Sequence, residues 1–240
     1  MTKRGLNGSA LKWIALLSML VDHTAVALYF YSSMNGSPLF TRNAYYALRL
    51  VGRLAFPIFA FLLAEGYYHT RSVKKYLLRL FVFGLVSEGP FDLALRMSWI
   101  DWEYQNVYFT LFLGLLAIFL WDRLTRGDPS GCGPGRILLG LLCIVGAAAV
   151  AELGRTDYGK WGVLIIVSMG LFRNTAWLRD LLAGGLLLAA NLLEAAAFPD
   201  FILFRFYNGK RGKQAKYLFY GFYPVHLALL GLLCRIIYRL

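Results

Sequence analysis

The sequence predicts an all-α protein, a polytopic transmembrane helical bundle of about eight membrane helices in one integral-membrane domain over residues 1–240. Three observations lead there. Of the 240 residues, 59% are hydrophobic and the mean hydropathy is +0.56, above the roughly half-apolar composition of soluble domains. The apolar residues come in continuous blocks of about 17 to 22, the length that crosses a hydrocarbon core of roughly 30 Å. Those blocks are too long and too continuous for barrel strands, and an open sheet edge has no partners in lipid.

The blocks, in order, are 11–31, 44–64, 73–95, 107–122, 136–152, 161–172, 178–198 and 215–235. The first, LKWIALLSMLVDHTAVALYFY, has no small-residue cleavage site and holds Asp22 and His23 in its middle. It is therefore expected to stay as the first membrane helix rather than leave as a signal peptide. The second carries Arg49 and Arg53 and ends in AFPIFAFLLAEG, where Pro57 is tolerated and can kink the helix. The sixth is short, which suits a tilted, broken or re-entrant segment. The stretch 124–135, LTRGDPSGCGPG, is rich in Gly and Pro and ends any helix.

The net charge is +12 and the isoelectric point about 9.8. In this setting the cations read as loop residues that stay cytoplasmic and meet anionic lipid. They collect at Lys3, Arg4 and Lys12, at Arg71, Lys74, Lys75 and Arg79, at Arg123, Arg126 and Arg136, at Arg173 and Arg179, and at Arg235 and Arg239. With eight helices all of these share one side, which predicts that both termini are cytoplasmic. Loop 96–106, with Asp101 and Glu103, then lies outside. Segment 207–216, YNGKRGKQAK, breaks the pattern: its four cations would also lie outside. Either the helix count is off by one, or this loop has a task that overrides the charge bias. Membrane lipids are thus expected partners; nucleic acid is not, because no binding motif of the usual kinds is present. Cys132, Cys143 and Cys234 form neither a disulfide framework nor a metal spacing, so no metal is expected.

Ionisable residues at bilayer depth are costly and mark function or a partner. Asp22 and His23 are the most prominent pair. They point about 100° apart on a helix, so each needs its own polar surroundings. Arg49 and Arg53, four apart, share a face that suits a phosphate or a carboxylate. Glu65 and His69 repeat that spacing at the helix exit, as a salt bridge, a cap or part of a site. Glu88 and Asp92 repeat it again, and pairing with Arg49 or Arg53 across the bundle would satisfy them. Asn106 opens the fourth block and suits a cap. Asn191 and Glu194 suit the same cavity or an interhelical hydrogen bond. Tyr220 and Tyr223 read as interface aromatics or site residues, and His226 is a second histidine at depth. There is no Walker loop, dinucleotide fingerprint, HExxH, GxSxG or CxxC. That leaves group transfer, hydrolysis, or transport of protons or solutes.

Four stretches taken in order carry a resemblance: LKWIALLSMLVDHTA, then GRLAFPIFAFLLAEGYYHTRSVKKYLLRLFVFGLVSEGPFDLAL, then NVYFTLFLGLL, then YNGKRG with YLFYGFYPVHLALL. Together they resemble the TraX family, bacterial inner-membrane proteins named for the acetylase of conjugative pilin. The resemblance implies a membrane-embedded acyltransferase related to the acyltransferase-3 group. It would take an acetyl group from acetyl-CoA to an amine or hydroxyl acceptor at or across the membrane, a peptide N-terminus, a glycan or a lipid-linked group. It implies His23 as the central catalytic residue, as general base or as nucleophile through an acyl-imidazole, with Asp22 beside it. Arg49 and Arg53 become candidates for substrate or CoA binding. Glu65, His69, Glu88, Asp92, Asn106, Tyr223 and His226 are further candidates for that role. So are Asn208, Lys210 and Arg211, provided their loop is cytoplasmic. Two other classes stay open: a small proton-coupled transporter or flippase using Asp22, His23 and Glu88 as a relay, and a non-catalytic assembly factor.

Overall fold

Residues 5–126, 133–213 and 216–239 are described by the structure, a computed structural model. Lys3, Arg4, Cys132 and the central part of the 124–135 break lie outside the described residues. Eight apolar blocks become ten α-helices among the described residues. Five candidate spans are long and apolar enough to cross a membrane: Gly8–Met34, Arg42–His69, Val107–Thr125, Pro134–Leu153 and Tyr217–Tyr238.

Each element has a local cause. Helix α1 (Gly8–Met34) starts where Asn7 Oδ1 accepts the Ala10 N–H at 2.9 Å, a standard N-cap. The second block is two helices, α2 (Arg42–Gly52), capped by Thr41, and α3 (Ala55–His69). Pro57 explains the interruption at Arg53 and Leu54. It has no N–H to offer the carbonyl four residues back, which is that of Arg53, and its ring crowds that carbonyl. Helix α4 (Val73–Phe91) contains Pro90 near its end and runs into a π-turn, Asp92–Arg96. Asn106 caps α5 (Val107–Thr125) through Tyr108 N–H at 3.0 Å. Helix α6 (Pro134–Leu153) has Pro134 in its first turn, where the missing donor costs nothing.

Two of the expected crossings differ from the eight-helix reading. Helix α7 (Gly159–Leu171) has 13 residues, about 20 Å of helix and short of a roughly 30 Å core. Helix α8 (Ala176–Ala190) stops at Asn191, whose backbone is extended at φ −166° and ψ 140°. A 3-10 turn (Leu192–Ala197) and the short helix α9 (Pro199–Arg205) follow. Helix α10 (Lys216–Tyr238) closes the chain.

The chain gathers into two compact units, with boundaries that fall within α3 and α4. One holds Ala60–Gly84 and Trp102–Leu192. Its core is Leu115, Ala117, Ile118, Val163, Ile165 and Ile166, all at 0% exposure. Gly114 lets α5 approach α7: a Cβ there would lie 2.7 Å from the Ile166 side chain, the small-residue packing that membrane helices use. Leu138, Leu142 and Val145 form an exposed stripe on α6 at 59%, 56% and 62%. Such a stripe of large apolar residues faces lipid in a membrane protein.

The other unit holds Met1–Phe59, Leu85–Asp101 and Leu193–Leu240. Here α1 and α2 run antiparallel, since Tyr29 stacks on Tyr45 at 4.3 Å while Ser18 Oγ donates to the Val51 carbonyl at 2.6 Å. Helices α1 and α10 run parallel. Trp13 meets Phe219 at 5.7 Å, and further along Ala27 and Tyr31 share a buried cluster with Cys234. At the start of α1, residues 5–8 are tied to the basic loop. Leu6 N–H donates to Phe206 O at 2.9 Å, Asn208 N–H to Leu6 O at 2.9 Å and Gly8 N–H to Lys210 O at 2.8 Å. At the far end, Arg235 donates to the Met97 carbonyl at 3.2 Å and lies 4.6 Å over the Trp99 ring.

The loop 207–213 lies at the N-terminal end of α1. The end of α10 lies with the 97–99 turn.

Candidate functional site

Asp22 and His23 diverge on α1, and the fold gives each a different partner. Asp22 faces the break between α2 and α3. Its Oδ2 lies 2.5 Å from Arg49 Nη1 and its Oδ1 3.3 Å from Arg53 Nη2. Arg53 also reaches Glu194 in the 3-10 turn, with Nη1 2.7 Å from Oε1. Two guanidinium groups thus meet two carboxylates in a balanced, mostly buried chain. Arg53 Nε returns to the Arg49 carbonyl at 3.3 Å. Both partners sit at a helix interruption: Arg53 at the one before Pro57, and Glu194 in the 3-10 turn that follows Asn191.

Gly52 is part of that geometry. A Cβ at this position would strike the Asp22 carboxyl. Gly52→Ala is therefore expected to push Asp22 off Arg49 and to cost about 1–3 kcal/mol. A melting temperature in detergent equal to that of the wild type would contradict the close approach.

His23 faces α10. Its Nδ1 lies 2.8 Å from His226 Nε2, and the two rings are nearly parallel with centroids 5.1 Å apart. His226 Nδ1 lies 2.7 Å from the Phe222 carbonyl. Tyr223 packs edge-on against both rings, at 5.7 and 5.8 Å. His226 is 6% exposed, while His23 is partly exposed. A carbonyl oxygen only accepts, so His226 Nδ1 carries a proton. With His226 neutral, its Nε2 is a lone pair and takes the Nδ1–H of His23. His23 Nε2 is then left as a bare lone pair, the atom a base or a nucleophile needs.

The remaining sequence candidates divide. Tyr223 joins the histidine pair. Asn208, Lys210 and Arg211 belong to the loop at the start of α1, where Asn208 Nδ2 donates to the Gly5 carbonyl at 3.0 Å and its Oδ1 accepts the Lys210 N–H at 2.9 Å. Lys210 and Arg211 are exposed. Asp92 does not pair with the helix-face arginines as expected. Its Oδ2 accepts the Asp101 backbone N–H at 2.8 Å, because the π-turn carries it toward the 97–101 loop. Glu88 lies partly exposed on α4. Glu65, His69 and Asn106 belong to the other unit. Glu65 lies 3.2 Å from Arg173 and 3.7 Å from His69, and Asn106, beyond its cap, donates to the Gly84 carbonyl at 2.8 Å. These three have structural partners there.

Three features were not drawn from the sequence. The pairing of His23 with His226 joins residues 203 apart, and only their shared depth in apolar sequence hinted at it. Glu194 was noted as polar but not joined to Arg53. Asp200 was missed, although an acidic residue in AAAFPDFILF is a visible signal. It sits in α9, outside the five candidate spans, at 0% exposure, with neither carboxyl oxygen hydrogen-bonded.

Burial pushes the Asp200 carboxyl up to about 8. A raised acid binds a proton in the folded state that the unfolded chain has already lost. The contribution of Asp200 to stability is thus fully present below about pH 4 and is lost as pH rises towards 8. Asp200→Asn is expected to flatten that slope in melting temperatures taken between pH 5 and 8. An unchanged slope would show that Asp200 is not its source.

The TraX protein family matches residues 7–234. A relative described as "Probable fimbrial assembly protein FimC, serogroup H1", from Dichelobacter nodosus, is 32% identical over 246 residues, covering 92% of this chain and 92% of its own length. No solved structure matches.

Proposed function

Since the chain belongs to the TraX family, we propose that this membrane protein is an acyltransferase that moves an acetyl group from acetyl-CoA to an acceptor at the membrane, with His23 central. The observation that carries this reading is the contact of His23 Nδ1 with His226 Nε2 at 2.8 Å, which leaves His23 Nε2 as the bare nitrogen when both rings are neutral. The acceptor's N–H or O–H gives its proton to that nitrogen as its own lone pair attacks the acetyl carbonyl carbon. The carbon–sulfur bond breaks, its electron pair goes to sulfur, and CoA leaves as the thiol once it is reprotonated.

The CoA phosphates suit the exposed loop cations Lys210, Arg211 and Lys213, beside Lys12 of α1. Arg49 and Arg53 are engaged by Asp22 and Glu194, so they suit a structural role better than the phosphate role that the resemblance implied. From Gly8 to His23 is about 22 Å along the helix, at 1.5 Å per residue. That separation suits the long pantetheine arm of CoA. The N-terminus and the loop 207–213 then face the cytoplasm of a bacterium, where acetyl-CoA is found, and the protein sits in the inner membrane. The name of the relative, a probable fimbrial assembly protein, favours a peptide N-terminus as acceptor over a glycan or a lipid-linked group. A proton-coupled transporter would need a relay through Asp22, whose two oxygens are both held by guanidinium groups.

The test is purified wild-type protein in liposomes with labelled acetyl-CoA and peptide, glycan or lipid acceptors. Transfer of label is expected, together with a rise in melting temperature on adding CoA. No transfer to any acceptor class and no response to CoA would overturn the reading.

A further inference from the structure

We propose that His226 is the positioning residue that takes up the proton passed on by His23, so that the two rings hold one extra proton between them during acyl transfer. The proposal rests on the acyltransferase reading above and goes beyond it by assigning the destination of the acceptor's proton. The geometry requires a second ring with a lone pair aimed at the first. His226 provides it: its Nδ1–H is fixed on the Phe222 carbonyl at 2.7 Å, which leaves Nε2 facing His23 Nδ1 at 2.8 Å. The contact is local: Phe222 lies four residues before His226, one helical turn away on the same face of α10.

The proton balance closes. The acceptor's proton arrives at His23 Nε2, and the Nδ1 proton of His23 passes to His226 Nε2. His226 is then an imidazolium with both N–H groups donating, one to Phe222 and one to His23. The proton returns by the same path to the departing thiolate. Around the pair, the charged groups whose field reaches His23 are Arg49 and Arg53, Asp22 is its neighbour in sequence, and Tyr223 lies on α10. A carboxylate in the position of His226 would orient His23 equally well, but would hold its proton far less readily at neutral pH.

Two measurements test this. The chain has 3 histidines, so nitrogen NMR of the 15N-histidine protein in micelles can be assigned with His69→Gln. The expected spectrum has His23 protonated on Nδ1 and bare on Nε2, and the signals of His23 and His226 move together in one shared protonation step. His23 protonated on Nε2 instead, or two independent steps, would overturn the proposal whether or not an acceptor is known. The second measurement is kcat for His226→Gln. The glutamine oxygen can still accept from His23 Nδ1–H but cannot take a proton. A loss on the order of 100-fold is expected, with the folded protein confirmed by its melting temperature. A kcat within a few fold of wild type would show that His226 only orients His23. In that case the acyltransferase reading stands and the proposal fails. No transfer by the wild type would instead remove the reading itself.

Discussion

Replacing His23 by alanine is expected to lower acetyl transfer by about 10²–10⁴-fold, the range that a positioned acid–base group contributes. The loss should appear in kcat, because the imidazole acts on the acceptor's proton as the bond forms. Binding of CoA, read as a thermal shift, should persist, since the loop cations at the start of α1 are untouched. The variant also removes the ring's contacts with His226 and Tyr223, so its fold is checked by its melting temperature. Undiminished transfer by folded protein would remove His23 from the chemistry. Loss of CoA binding as well would point to a site that includes the ring itself.

Arg53→Met is expected to have the largest effect on stability, about 3–5 kcal/mol, the range for breaking a buried ion pair by deleting one partner. The reason is what remains. Glu194, 4% exposed, loses its Arg53 partner, and its other oxygen is already without a hydrogen bond. Asp22 keeps Arg49 only. The double variant Arg53→Met with Glu194→Gln should recover part of the loss, because it removes the stranded charge with its partner. Arg53→Lys should not restore the network, since one ammonium lacks the fork that reaches two carboxylates from two directions. Unfolding of the single and double variants in detergent measures all three. Equal stability of Arg53→Met and wild type would mean that the network contributes nothing to holding α1, α2 and the 3-10 turn together.

Much of the fold was legible. Block length and continuity predicted helices at nearly every position where they occur, because in lipid only an internally bonded helix satisfies an apolar stretch of that length. Pro57 announced a kink, and the structure shows its site: the carbonyl of Arg53, four residues back. The count of crossings was less legible. The sixth and seventh blocks are apolar throughout, and composition does not report that α7 has only 13 residues or that Asn191 takes an extended backbone. The charge rule depends on that count: it needs the number of crossings, and one crossing more or fewer moves the 207–213 loop to the other side.

The candidate site divides along the same line. Sequence by itself determined which residue types sit at bilayer depth: a histidine beside an aspartate on α1, two arginines four apart, a second histidine on α10. Cost decides that much, because ionisable groups do not persist in apolar helices without a partner or a task. Only the tertiary structure decided who partners whom. Asp22 and His23 are adjacent, so sequence invites a dyad, yet helix geometry turns them towards different neighbours. Asp22 goes to Arg49 and Arg53, and His23 goes to His226, 203 residues away. That choice depends on the parallel packing of α1 against α10 and on the packing of α1 against the break at Arg53. Both are long-range arrangements, and no local pattern in the chain encodes them.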